Sequence, residues 1–214
     1  YLVTLEGEGN TSGMQTDVFT QDAQPKADVL FTVDNSGSMQ PFQTSLANNF
    51  AAFIQYAISA NVDYQIGVTT TDMDDGFPSP FPGIPGIPPG DKGKLRGDAN
   101  NPKILTPNTP DVANKFKQKV NVGIDGSGIE RGLEASLKAL TPPLIVADNA
   151  GFIRPDANLA VVVVTDAPDQ SGNSASYYVN SFLNIKGFNR SNMFTFNAIA
   201  GFDPTPPSGC VYDE

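Results

Sequence analysis

The sequence predicts an α/β domain with a doubly wound, mostly parallel central sheet and helices on both faces. Three observations lead there. Between residues 27 and 201, short apolar runs rich in β-formers alternate with amphipathic stretches of helical period. Two of these runs, ADVLFTV (27–33) and NLAVVVVT (158–165), are nearly continuous in apolar residues, the pattern of strands buried on both faces. Finally, Asp34 and Asp166 stand at the carboxyl ends of those two runs, where ligands bind in open sheets of this class.

Taken in order, YLVTLEGEG opens the chain with alternating apolar residues that end at glycines, the mark of a strand followed by a polar connector. A lone strand is not stable by itself, so residues 1–26 are assigned to a preceding domain or to an added strand. ADVLFTV is the first strand of the main domain. PFQTSLANNFAAFIQYAISA then places Phe42, Leu46, Phe50, Phe53, Ile54 and Ala57 three and four apart, an amphipathic helix with Pro41 in its first turn. DYQIGVTTT is the second strand.

Residues 74–91 carry six prolines and four glycines and are read as a kinked loop. GKLRG and PKILT bracket DANN, a candidate hairpin. PDVANKFKQKV and GIERGLEASLKAL are helices, the latter over 128–140 with Ile129, Leu133, Leu137 and Leu140 on one stripe. NLAVVVVT is the next strand, SASYYVNSFLNIKG a helix ended by Gly187, and NMFTFNAIAG the last strand. Residues 202–214 are a tail.

Composition removes several function classes. A formal net charge of -10 argues against nucleic acid or an anionic membrane surface as partner. No apolar run approaches the roughly 18 residues that direct membrane insertion requires. The chain contains no histidine, so hydrolases built on a Ser-His or Cys-His pair are excluded. Its single cysteine, Cys210, is read either as a free thiol or as half of a disulfide.

The candidate site begins at DNSGSM. Asp34, Ser36 and Ser38 leave the first strand spaced by two, with Gly37 permitting a tight turn. A loop curling around a point turns residues i, i+2 and i+4 inward, and three converging oxygens select a hard cation such as Mg2+. The competing reading is a helix cap, with Ser36 or Ser38 capping the following helix and Asp34 aiding it through the macrodipole. VVVVTDAPD shifts the balance, because Asp166 repeats the placement of Asp34. A lone carboxylate there costs desolvation energy unless a cation pairs with it, and neither loop carries Lys, Arg or His. In DGSGIERGL, Ser127 and Glu130 have the spacing of a capping box.

ADVLFTVDNSGSM resembles the start of a von Willebrand factor type A domain, whose metal-ion-dependent adhesion site reads Asp-x-Ser-x-Ser. The resemblance spans about residues 27–201. In that family a Thr on a second loop and an Asp at the end of a later strand complete the site. Ser127, six residues before Leu133, occupies the Thr position, and Asp166 the other; Asp125 is the alternative if the loop is shifted by two. Ser for Thr keeps the hydroxyl and loses the methyl that stiffens the rotamer.

The resemblance implies a sheet ordered 3-2-1-4-5-6 with one antiparallel edge strand, for which GKLRG and PKILT are the candidates. It implies Ser36 and Ser38 as direct ligands, Ser127 as a ligand either directly or through water, and Asp34 and Asp166 acting through water, around Mg2+ with Mn2+ or Ca2+ as alternatives. The open position would take an Asp or Glu of a protein partner. VDNSGSM, YQIGVTTTDM and GSGIERGLEA resemble modules of large deltaproteobacterial surface and secreted proteins, in which YLVTLEGEG would resemble the closing strand of a preceding immunoglobulin-like domain, so the chain reads as part of a larger multidomain protein at the cell surface. The Pro-rich loop leaves the second strand on the same side as Asp34 and is either a rim for that partner or a cover for a sheet edge. Two other functions stand beside adhesion: Mg2+-dependent phosphoryl transfer, and a closed cation that only ties loops together. RGD at 96–98 carries little weight as a tripeptide, and DMDDG lacks the glutamate that completes a calcium loop, Gly83 standing there.

Overall fold

The computed structural model describes residues 24–78, 86–187 and 189–200. Four strands, β1 (Lys26–Val33), β2 (Asp63–Thr70), β3 (Asn158–Thr165) and β4 (Phe194–Ala200), form one sheet in the order β2-β1-β3-β4. Every pairing is parallel. The α/β class expected from the alternation is therefore the fold observed, and this order is that of the four inner positions of the expected sheet. The opening strand and connector up to residue 23, and the tail from residue 201, lie outside the described residues.

Helices α1 (Gln40–Ser59) and α2 (Val112–Val120) cover one face, and α3 (Gly132–Ala139) and α4 (Ala175–Asn184) the other. Alternation along β1 divides the core. Val29, Phe31 and Val33 pack with Phe50, Ile54 and Phe116 on the first face, whereas Leu30 joins Val161, Phe152 and Tyr178 on the second. The rings of Phe50 and Phe116 stack at 3.4 Å between centroids, joining α1 to α2. Thr32 points to the α3 side and is satisfied there by Ser136 Oγ at 2.7 Å. Because β1 connects outward to β2 and the chain returns to β3 on its other side, the order reverses between β1 and β3. The crevice at their carboxyl ends is the topological switch point.

Two helix faces differ from the expected stripes. On α1, Gln43 and Ala47 are buried with Phe50, Ile54 and Ala57, while Phe42 and Phe53 are 44% and 42% exposed. On α3 the inward face is Gly132, Ala135, Ser136 and Ala139; Leu133 and Leu137 are half-buried and Ile129 is exposed. The helix lies so close to β3 that a Cβ on Gly132 would stand 2.9 Å from Val163 Cγ1, which leaves room only for small residues.

The expected antiparallel edge strand is not formed among the described residues. GKLRG and PKILT each meet β2 at a single point, Arg96 N donating to Val68 O at 2.8 Å and Leu105 forming an isolated antiparallel bridge with Ile66. Between them the Asp98 carboxylate accepts from the amides of Asn100 and Asn101 at 2.7 and 3.0 Å, bending the chain into a turn, and Pro102 has no amide to donate. The RGD tripeptide is consumed in the same way: Asp98 serves the turn and Arg96 pairs with Asp91 at 3.1 Å.

Lys119 on α2 is 3% exposed, and its ammonium donates to the Arg96 carbonyl. Burial pulls its pKa down to about 8, against the attraction of Asp98. The unfolded chain therefore holds a proton that the folded chain has lost between that value and the ordinary 10.5, and stability rises with pH across the interval. Relative to Lys119→Met, the wild type is expected to gain about 2 kcal/mol between roughly pH 8 and 9.5, measured by urea midpoints at each pH.

Candidate metal centre

β1 ends at Val33, and the register Val33↔Val164 places Asp34 against the end of β3. The Asp34 amide donates to Val164 O at 2.9 Å, carrying the ladder one residue past the strand. The side chain is wholly buried. Its Oδ1 accepts from the Ser36 amide at 2.7 Å, which makes the turn, and its Oδ2 accepts from Thr165 Oγ1 at 2.6 Å. Ser36 Oγ and Ser38 Oγ stand 3.5 Å apart on this turn, so the i+2 and i+4 hydroxyls lie side by side.

The capping reading of this loop fails. α1 begins after Met39 with no side-chain cap, leaving both hydroxyls free of the helix. The loop is held from beneath by Gln43, whose Nε2 donates to Asp34 O at 2.9 Å and to Gly123 O at 2.8 Å. That explains why a glutamine takes an inward position on an otherwise apolar face.

The Ser127 loop docks on the same structure. Gly126 N donates to Asn35 O at 3.0 Å, and a Cβ on Gly126 would lie 2.1 Å from Asn35 Nδ2, so only glycine allows this approach. Ser127 is 7% exposed while Asp125 is exposed, which favours Ser127 over the shifted alternative. The expected capping box is not made. α3 starts at Gly132, and Glu130, instead of reaching back to a helix end, is buried and accepts from Thr71 Oγ1. Burial pushes the Glu130 carboxyl up to about 7, Asp34 and Asp72 adding to the rise and the Thr71 hydroxyl opposing it. Its other oxygen has no hydrogen-bond partner among the described residues.

Asp166 follows Thr165 at the end of β3 and is half-buried; its carboxylate takes no hydrogen bond from the described residues. Thr165, bonded to Asp34, is the residue before Asp166 in the chain. Among the described residues no three Asp, Glu or Cys side chains converge as a cage, so hydroxyls must supply much of any ligand set here. The donors present, two serines on one turn with Asp34 and Asp166 at the switch point, fit a hard cation that keeps part of its water shell.

Reading the sequence did not anticipate Thr165, Gln43, Asp72 and Asp74. The last two bind the Ser127 loop: Asp72 Oδ2 accepts from Ser127 N at 3.0 Å, and Asp74 Oδ2 from Ser127 Oγ at 2.5 Å. The only signal for them was the crowding of acids in TTTDMDD. Phe77 and Ile87, at the two ends of the Pro-rich loop, form an antiparallel bridge and are 60% and 47% exposed, so these two do not cover a sheet edge. Phe81 and Ile84 lie outside the described residues. Gly86, Ile87 and Pro88 face Asp125 and Gly126 across an open groove.

The fold and site together define a doubly wound α/β domain with a buried carboxylate and paired hydroxyls at its switch point. No family model and no curated protein matches the chain. Solved structures similar to it include proximal thread matrix protein 1 (PTMP1) from the mussel byssus, in crystal form 2 and in a form with a zinc-occupied MIDAS motif. Both share 14% identity with this chain at a TM-score of 0.44, covering 85% of it and 39% of the mussel chain. The chain thus spans well under half the length of that protein.

Proposed function

We propose that this chain is a metal-dependent protein-binding module of the von Willebrand factor type A kind, acting without catalysis at the cell surface. The observation that carries the reading is Asp34: a fully buried carboxylate at the switch point, met by hydroxyl and amide donors and by no cationic side chain among the described residues. A buried charge without a partner is costly, and a divalent cation held by Ser36, Ser38 and Ser127, with Asp34 and Asp166 behind waters, supplies one. Mg2+ suits this oxygen set, with Mn2+ and Ca2+ as alternatives.

Neutral first ligands leave much of the cation's charge uncompensated, so the open position attracts a carboxylate from a partner's Asp or Glu. Gly86, Ile87 and Pro88, at the returning end of the Pro-rich loop, face Asp125 across the groove and would belong to a rim that reads the surroundings of that carboxylate. The net charge of -10 opposes binding to acidic surfaces in general, so recognition must be concentrated at the cation.

Calorimetric titration with Mg2+ and Mn2+, alone and with acetate, tests this. Saturable one-site binding that tightens with acetate is expected, together with weakening of about tenfold or more in Ser36→Ala and Ser38→Ala. Absence of binding in the wild type, with or without acetate, would overturn the reading.

A further inference from the structure

We propose that Asp74, backed by Asp72, is a positioning residue that fixes the Ser127 hydroxyl as a metal ligand, and that the turn carrying both ties the Pro-rich rim to the cation. This rests on the cation reading given above. It arises from the way Ser127 spends its hydrogen bonds. A hydroxyl has one proton and two lone pairs. The Ser127 proton goes to Asp74 Oδ2 at 2.5 Å, and one lone pair accepts the Ile129 amide at 3.1 Å. One lone pair remains, and its direction is set by the other two bonds. Giving the proton to a carboxylate also makes the oxygen more negative and a stronger ligand, as hydrogen-bonded partners behind a ligand commonly do.

Asp74 is in turn fixed. Its amide donates to Asp72 Oδ1 at 2.9 Å, while the other oxygen of Asp72 takes the Ser127 amide at 3.0 Å. One buried carboxylate therefore clamps two segments that are 55 residues apart. On its far side Asp74 lies 3.4 Å from Arg131 Nη2, next to the start of α3. A threonine at position 127 would restrict its own rotamer through the γ-methyl. Serine has no such restriction, and Asp74 provides it from outside.

The same turn carries the returning end of the Pro-rich loop. Gly90 N donates to Asp74 O at 3.0 Å and Lys92 N to Asp72 O at 3.1 Å. A Cβ on Gly90 would stand 2.3 Å from Asp72 O, so the returning end of the loop packs directly against the clamp. Contact at the rim and coordination at Ser127 are thereby coupled, and the coupling must be reciprocal.

A double-mutant cycle on the whole chain decides it, with Mn2+ affinity measured by calorimetry for wild type, Asp74→Asn, Ser127→Ala and the double variant, and unfolding in EDTA as a check on folding. Asp74→Asn is expected to weaken Mn2+ binding about tenfold or more, Ser127→Ala similarly, and the double variant no further than Ser127→Ala alone. Ser127→Thr placed in the Asp74→Asn background is expected to recover affinity, which a merely structural loss would not permit. Wild-type affinity in Asp74→Asn, or losses that simply multiply in the double variant, would overturn the proposal while leaving the cation site standing. A wild type that binds no Mn2+ would remove the cation reading itself, and this inference with it.

Discussion

Arg154→Ala is expected to cost about 3–5 kcal/mol of stability, because it strands a buried carboxylate. Asp28, near the start of β1, is wholly buried, and burial raises its pKa against the pull of the Arg154 amide and guanidinium. Arg154 N and Nε each donate to it at 2.7 Å, one to each oxygen. The same guanidinium reaches the Ala27 and Asp63 carbonyls at 3.1 and 2.9 Å and the Asp63 carboxylate at 2.7 Å, joining the amino ends of β1 and β2. Truncation leaves the Asp28 charge with one backbone donor and opens a space where four side-chain bonds converged. Urea unfolding would show a lower midpoint at an unchanged slope, and the melting temperature would fall by roughly 10 °C. A loss below about 1 kcal/mol would mean that water reaches Asp28 freely. Since this lock lies at the end of the sheet opposite Asp34, the folded variant is expected to bind metal as the wild type does.

The strands were legible in the sequence because burial on both faces writes itself as continuous apolar runs, and β1 and β3 appear where those runs lie. The faces of α1 and α3 were legible only in part. Periodicity counts apolar residues, whereas the α1 face includes Gln43, turned inward by its bonds to Asp34 O and Gly123 O, and the α3 face was chosen by close approach, which rewards Gly132 and Ala135 over Leu133. Glu130 shows the limit of short patterns. Its spacing from Ser127 satisfies the capping rule, yet tertiary contact with Thr71 and Asp34 claims it first.

At the site, Asp34, Ser36 and Ser38 were readable because one turn places them, and chain order carries that information. The clamp on Ser127 was not, since Asp72 and Asp74 meet it only after two loops 55 and 53 residues apart are brought together. The antiparallel edge strand was expected from the resemblance, with GKLRG and PKILT as candidates; among the described residues each meets β2 at one point only, and no strand forms there.

Asp34→Asn separates the two demands that this site places on the fold. In EDTA the variant is expected to unfold at or above the wild-type temperature, and added Mg2+ or Mn2+ is expected to leave it unchanged. Asparagine keeps the acceptor for the Ser36 amide and offers its NH2 to the Thr165 hydroxyl, so the turn survives. What disappears is one negative charge from a buried group that also contains Glu130 and Asp72, with no cationic side chain bonded to Asp34 among the described residues. On the proposed reading the wild type would keep that charge for the cation and gain stability on binding it, a ligand at about 100 times its Kd contributing about 2.7 kcal/mol. Thermal unfolding of both proteins with EDTA and with saturating metal reads both effects at once. If Asp34→Asn melts several degrees lower in EDTA, the carboxylate is a structural anchor for the DNSGSM turn. If metal still raises its melting temperature, the cation is held elsewhere. Only a variant that is as stable as the wild type without metal and indifferent to its addition fits a charge kept in place for a cation.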